Sequence, residues 1–135
     1  APLEAARGAV VNVASVHAVA TSRNVAGYAA SKGALLAFTR AAALDLAELG
    51  IRVNAVLQGA VDTPMLRAGL SRRVPPEEAQ GELADLARRT PLGRVGQPGE
   101  IAEAIVFLAD ERRSSFVTGQ ALVVDGGASA RLSTE

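Results

Sequence analysis

With no cysteine among its 135 residues, the chain can hold neither a disulfide framework nor a thiolate metal site. Its single histidine, His17, equally excludes a centre built from imidazoles, so no metal is expected. No apolar run is long enough to span a bilayer, and residues 1–7 lack the apolar core of a signal peptide, so no membrane is expected and a cytoplasmic location is the expectation. Nor is there an excess of charge. The 14 basic and 14 acidic residues cancel, leaving no overall field to draw the chain to nucleic acid or an anionic surface. The pairs Arg72-Arg73, Arg88-Arg89 and Arg112-Arg113 sit among carboxylates and read as solvated faces rather than a phosphate track. No internal repeat or low-complexity segment is present. The first residue is Ala1, which leaves open a removed initiator or a missing upstream part.

Two further scarcities point to chemistry. Tyr28 is the only tyrosine and Lys32 the only lysine, every other cation being arginine. Four apart on a helix, the two side chains stack on one face, one turn from each other. A free phenol holds its proton to about pH 10, and a fixed neighbouring cation favours the phenolate. Such a tyrosine can pass a proton to or from an alcohol or carbonyl oxygen. Lysine suits this role where a guanidinium fork would fill a cleft differently. Alone, the pair reads far more readily as an exposed helix lysine beside a packed aromatic.

What surrounds the pair is richly apolar: hydrophobic residues make up 49% and charged residues 21%, a composition suited to one domain over residues 1–135 with a real core. Residues 2–7 read as the last turn of a helix, closed by Gly8 in the left-handed position. The run from Ala9 to Ser15, apolar except at Asn12, reads as a strand inside a sheet covered on both faces. A loop over 16–26 leads into a long alanine-rich helix over 27–49, ended by Gly50, with Asp45 and Glu48 on its polar face. Ala29, Ala30 and Ala34 either pack on the chain's own sheet or admit another helix. Residues 51–57 read as a second buried strand. Two short helical patterns follow over 64–92 around Pro75-Pro76, the second supported by Glu77, Glu78 and Glu82. A helix over 100–110 carries the stripe Ile101, Ile105 and Leu108, and a strand over 121–124 ends in a turn at Asp125. Asp125 is a structural turn residue in this reading. Alternating strands and helices imply a parallel sheet with right-handed crossovers.

Ser15 lies at the end of the first strand, thirteen residues before Tyr28, so serine, tyrosine and lysine meet where open α/β sheets place ligands. The segments V-V-N-V-A-S, Y-A-A-S-K, I-R-V-N-A-V and V-T-G-Q-A-L-V-V-D-G-G, in that order, resemble the C-terminal half of a classical short-chain dehydrogenase/reductase. The likeness runs from about Gly8 to Gly127. It implies an α/β fold, the C-terminal part of a doubly wound, Rossmann-like parallel sheet of about three strands with flanking helices. It implies NAD(P)-dependent interconversion of an alcohol and a carbonyl, with NAD or NADP not distinguished. Ser15, Tyr28 and Lys32 would be the catalytic residues. Tyr28, Lys32, Gly59, Val61 and Thr63 would hold the cofactor, and Ser15, His17 and Gln58 would meet the small-molecule substrate. Gln58 stands where the family carries proline, freeing a backbone angle and adding a polar group. The segment 64–92, with Met65, Leu66 and Leu70, would cover the substrate. A homo-oligomer formed through the long helix is also implied.

The family's glycine-rich turn, which seats a pyrophosphate at a helix N-terminus, does not occur in this sequence, nor does its N-A-G stretch. A dinucleotide-binding N-terminal half is therefore expected to be missing, which leaves a sheet edge unpaired. A fragment, a half that pairs with a separate chain, and an inactive remnant all remain open. Two other classes compare as follows: a non-catalytic oligomerisation module would not need Ser15, Tyr28 and Lys32 in register. A serine hydrolase on Ser15 and His17 lacks G-x-S-x-G and a third member.

Overall fold

The computed structural model describes residues 2–72, 75 and 78–130; Ala1, Arg73, Pro76 and Glu77 lie outside that set. The elements run α1 (Pro2–Ala5), β1 (Ala9–Val13), a 3₁₀ turn (Val16–Ala18), α2 (Ala26–Leu46), a second 3₁₀ turn (Ala47–Leu49) and β2 (Arg52–Gln58). They continue through α3 (Pro64–Ser71), α4 (Ala79–Arg89), α5 (Pro98–Ala109) and α6 (Glu111–Ser114) to β3 (Ala121–Val124). The three strands form a parallel sheet in the order β1-β2-β3. Val10 pairs with Val53, Asn12 with Ala55, and Val56 with Leu122.

The period-2 alternation of β2 decides how the layers assemble. Its odd residues face α2: Ala55 and Leu57 pack with Ala14 and Leu36, while Val53 packs with Ala42, Ala43 and Ile51. The even residue Val56 faces α5, against Ile101, Leu108 and Val61. With both faces covered, β2 is buried from Arg52 to Leu57, as a central parallel strand must be. Helix α2 meets the sheet through Leu36, Thr39, Ala42 and Ala43, spaced three, three and one apart on one stripe. Asn12, the polar exception in β1, donates to the Thr39 hydroxyl at 2.9 Å, and that hydroxyl donates to Leu35 O. The buried amide thus has a partner.

Arg52 is 8% exposed, and among the described residues it pairs with no carboxylate. Its guanidinium donates to Leu108 O, Ala109 O, Val117 O and the Ser114 hydroxyl. Two of these acceptors are the last carbonyls of α5, which have no partner within the helix and carry the negative end of its dipole. Asn54, on the same face, donates to Val117 O and accepts from Gln120 N–H. Together they fix the chain that leads into β3. At its other end, α5 begins with Pro98 in the first turn, and Glu100 turns back to accept the Gln97 N–H at 2.8 Å while pairing in two-pronged fashion with Arg94.

Several expectations require correction. β1 ends at Val13 rather than at Ser15, because Ser15 caps the following 3₁₀ turn. Among the described residues β1 is an edge strand rather than an interior one, and Val13 is exposed. The left-handed residue after α1 is Arg7, with φ 46°, not Gly8. Gly8 instead makes a close approach, since a Cβ there would lie 2.8 Å from Leu3 Cδ2. The long helix follows its predicted course from Ala26, tightens to 3₁₀ geometry at Ala47, and stops at Gly50 with φ 70°. Ala30 and Ala34 are exposed rather than packed on the sheet. Arg88 and Arg89 pair with Asp85, and Arg112 and Arg113 with Asp110, as solvated faces.

Two predictions follow from these contacts. Replacing Arg52 with alanine strands helix-terminal carbonyls in the interior and is expected to lower stability by about 3 kcal/mol; urea denaturation measures it, and a loss below about 1 kcal/mol would show that water serves those carbonyls equally well. The Arg94 hydrogen bond, followed by the Gln97 N–H, pulls the Glu100 carboxyl down from 4.5 to about 2. A depressed carboxylate stabilises the fold above its unfolded value and loses that contribution as pH falls through the folded one. The difference in urea midpoint between the native chain and Glu100→Gln should therefore be constant above pH 4.5 and shrink between pH 4.5 and about 2. A difference independent of pH across that window would contradict the assignment.

Candidate active site

A parallel strand delivers every chain to the same edge of the sheet, and here β1 and β2 end together at Val13 and Gln58. Beyond β1, Ser15 is 5% exposed with extended backbone, and its Oγ accepts the His17 N–H at 3.2 Å. The same hydroxyl lies 3.5 Å from the Gln58 carbonyl, a long donor contact. The backbone N–H occupies a lone pair of Ser15 Oγ, so the hydroxyl hydrogen points elsewhere, toward that carbonyl or an incoming oxygen.

The first turns of α2 bring Tyr28 and Lys32 to the same edge. Lys32 Nζ donates to Val13 O at 3.1 Å, using a carbonyl at the end of the edge strand. It lies 5.7 Å from the centre of the Tyr28 ring. The helical spacing therefore does place the ammonium beside the phenol. Tyr28 is 43% exposed, so its hydroxyl is open to a ligand. The His17 ring meets the Tyr28 ring edge-on, with centroids 5.5 Å apart and planes at 77°. Its Nδ1 shares a 2.9 Å hydrogen bond with Thr21 Oγ1. Ser15 and His17 lie beyond the strand, and the imidazole engages Thr21 and Tyr28 rather than the serine hydroxyl, which does not favour a hydrolase pair.

The second group of expected residues sits differently. Gly59 follows β2 and presses against the start of the final turn, where a Cβ would lie 2.7 Å from Asp125 Cβ and 2.9 Å from its Cα. Val61 is 7% exposed and packs with Ile101 and Leu108. It bridges Gly96 through the peptide groups of Ala60 and Asp62, so only its backbone is placed to meet a ligand. Thr63 caps α3, its hydroxyl accepting the Leu66 N–H at 3.2 Å. No hydrogen bond joins Val61 or Thr63 to Ser15, Tyr28 or Lys32. In the segment expected to cover the substrate, Leu70 is buried while Met65 is 80% exposed.

Asp125 behaves as the turn residue it was expected to be. It accepts from the Gly127 and Ser129 amides and the Ser129 hydroxyl, and Gly126 and Gly127 supply φ of 64° and 88°. Burial pushes its carboxyl up, but these hydrogen bonds together outweigh it and hold the group below its usual value.

A concavity of about 600 Å³ lies between α4 and the approach to α5, lined by Leu83, Ala87, Arg94 and Glu100 among others. None of Ser15, Tyr28 or Lys32 lines it. Chemistry rather than volume locates the site: Tyr28 is exposed, Lys32 half-buried and Ser15 buried at the sheet edge. Among the described residues no group of three or more His, Asp or Glu is placed to hold a metal, and no helix is long and apolar enough to cross a membrane.

The family described as Enoyl-(Acyl carrier protein) reductase matches residues 1–129. The chain is 46% identical over 121 residues to the short-chain dehydrogenase fogB of Aspergillus ruber, covering 90% of this chain and 42% of that protein. The chain belongs to the short-chain dehydrogenase/reductase family. It is also 40% identical to a cyclohexanol dehydrogenase of Acinetobacter, over 92% of this chain and 44% of that one. The solved structure of Thermoplasma acidophilum aldohexose dehydrogenase superposes with a TM-score of 0.87 at 36% identity, over 93% of this chain and 49% of that chain. The Rossmann-like three-stranded sheet is thus that of the family. This short-chain dehydrogenase/reductase chain spans about half the length of the relatives it matches. That the half is the C-terminal one is not borne out by these matches, which establish membership and extent.

Gly59 separates a packing role from a ligand role. Gly59→Ala is expected to force Asp125 aside and lower stability by about 2 kcal/mol, read from thermal or urea unfolding in the absence of any ligand. An unchanged stability would mean that this glycine is not needed for the approach to Asp125.

Proposed function

We propose that this chain supplies the proton-transferring side of an NAD- or NADP-dependent interconversion of an alcohol and a carbonyl. The observation that supports it is the meeting of Ser15, Tyr28 and Lys32 at the carboxyl edge of a parallel sheet, with the ammonium 5.7 Å from the phenol ring. In oxidation Tyr28 takes the proton of the substrate hydroxyl, and in reduction it returns one to the carbonyl oxygen. Lys32 stabilises the negative charge that the phenol oxygen carries once its proton has left. The Ser15 hydroxyl donates to the substrate oxygen as charge develops there. Names of relatives such as cyclohexanol dehydrogenase favour a small alcohol over a macromolecule as substrate.

A nicotinamide cofactor, when bound, supplies or accepts the hydride. The residues present fit one end of it. Lys32 spends one hydrogen bond on Val13 O, and an ammonium has three donors, so two remain for ribose hydroxyls. The backbone at Val61 and the segment from Gly59 to Thr63 border the same end of the sheet. No glycine-rich phosphate turn is present in the sequence, so the pyrophosphate has no such cradle among these residues. The exposed stripe Ala30, Ala34 and Phe38 on α2, spaced four apart, supports docking of a second copy there, which is compatible with the catalytic reading.

The test is oxidation of cyclohexanol by the whole protein with NAD⁺ and with NADP⁺. Tyr28→Phe should lower kcat by about 10³-fold while the dissociation constant for reduced cofactor, from calorimetric titration, changes little. Tyr28→Phe turning over at the native rate would dispose of the proposal and leave the oligomerisation module as the better reading.

A further inference from the structure

We propose that His17 is a positioning residue that holds the Tyr28 phenol in register with Ser15, rather than a residue that touches substrate; the inference rests on the acid/base reading of Tyr28 above. The two reacting side chains come from different elements. Ser15 follows β1, and Tyr28 lies on α2, thirteen residues later. No hydrogen bond joins them. Tyr28 is 43% exposed, and an aromatic ring on the first turn of a helix has several rotamers open to it when one side is solvent. Something must select the one that faces the serine.

His17 is the residue that contacts both. Its backbone N–H donates to Ser15 Oγ at 3.2 Å, and its ring presents an edge-on contact to Tyr28 at 5.5 Å and 77°, an arrangement favoured by the ring quadrupoles. The imidazole is itself held, since Nδ1 and Thr21 Oγ1 share a 2.9 Å hydrogen bond across four residues of the loop. The 3₁₀ turn from Val16 to Ala18 makes this possible: capped by the Ser15 hydroxyl, it fixes the residue two after the serine so that main chain and ring serve different partners. The resulting order of contacts is Thr21, His17 ring, Tyr28 on one side and His17 N–H, Ser15 on the other. Removing the ring leaves the N–H in place, so the serine keeps its partner while the tyrosine loses its stop. The expected signature is therefore a loss in turnover without a loss in binding.

Four variants of the whole protein decide it, assayed as cyclohexanol oxidation with NAD⁺ and NADP⁺. His17→Ala is expected to lower kcat about tenfold, with KM for cyclohexanol and for the cofactor unchanged. His17→Phe, which keeps an aromatic edge, should recover to within about threefold of the native rate, and Thr21→Val should fall between them. Tyr28→Phe serves as the reference. Since the 135-residue chain has one tyrosine and one histidine, a nuclear Overhauser contact between their ring protons is assigned without ambiguity and should be present in it. An inactive Tyr28→Phe beside a fully active His17→Ala overturns this inference and leaves the acid/base reading intact. A His17→Ala defect that appears in KM for cyclohexanol, or that phenylalanine fails to repair, overturns it in favour of substrate contact. Absence of the ring-to-ring contact also overturns it. A native protein that does not oxidise the alcohol, or a fully active Tyr28→Phe, removes the proposed function and this inference with it.

Discussion

A guanidinium buried in the middle of a three-stranded sheet has to find its hydrogen bonds inside the protein, and the way Arg52 does so organises the rest. Pairing with no carboxylate among the described residues, it takes the terminal carbonyls of α5 and the loop beyond them. That choice sets where α5 stops and where the chain turns toward the sheet. Asn54, two residues on and on the same face, then grips Val117 and Gln120 on either side of that turn. β3 consequently pairs with β2 in one register, Gln58 opposite Val124. One residue past that pair, Gly59 and Asp125 come into contact that only a glycine permits. Polar groups inside the sheet thus locate the sheet's carboxyl edge, some distance from any of them. The apolar clusters supply most of the driving force, but apolar packing is not directional; the register comes from these hydrogen bonds.

The parts legible in the sequence were those governed by periodicity. The two-sided apolar run of β2, the stripe Ile101, Ile105 and Leu108, and the punctuation at Gly50 each have one physical solution, and the structure adopts it. The placing of Lys32 beside Tyr28 at the end of β1 was legible too, since a strand, a short loop and i, i+4 spacing leave little freedom. Less legible were features that depend on what a residue meets across the fold. The packing of the Val61 side chain into the α5 core is one such feature. Thr63 has the composition of a polar contact and the job of a helix cap, for which the sequence signal was present: threonine directly before Pro64. Arg52 stands in a run that reads as a buried strand, and nothing local reveals that a helix terminus 56 residues later needs its donors. The edge position of β1 was hidden for a different reason. A strand's own pattern records the environment it is suited to, and β1 is apolar on both faces although one of its edges is open in this chain.

That mismatch explains the form of the site. Lys32 hydrogen-bonds Val13 O at the last residue of the edge strand, so the ammonium stands where the sheet stops rather than between two strands. Tyr28 and Val13 are both exposed there. The concavity between α4 and the approach to α5 lies elsewhere, and Ser15, Tyr28 and Lys32 do not line it. Helix α2 also carries the exposed apolar stripe Ala30, Ala34 and Phe38, while its other face is buried against the sheet at Leu36, Thr39, Ala42 and Ala43.

Catalytic geometry and fold stability are therefore drawn from separate sets of residues. Ser15 is the one member of the proposed triad that is buried, and it is fixed by a local turn rather than by the core. Tyr28 and Lys32 sit on the first two turns of a 21-residue helix whose buried stripe begins only at Leu36. The part of α2 that anchors the helix thus lies beyond the part that presents the phenol and the ammonium. A helix transmits position along its axis with little loss, so packing at Leu36, Thr39, Ala42 and Ala43 can hold a side chain two turns away while leaving it solvent-accessible. What the helix cannot set is the rotamer of an exposed ring at its first turn, and in this chain the contact that meets the ring there is the edge of His17, from the other side of the site.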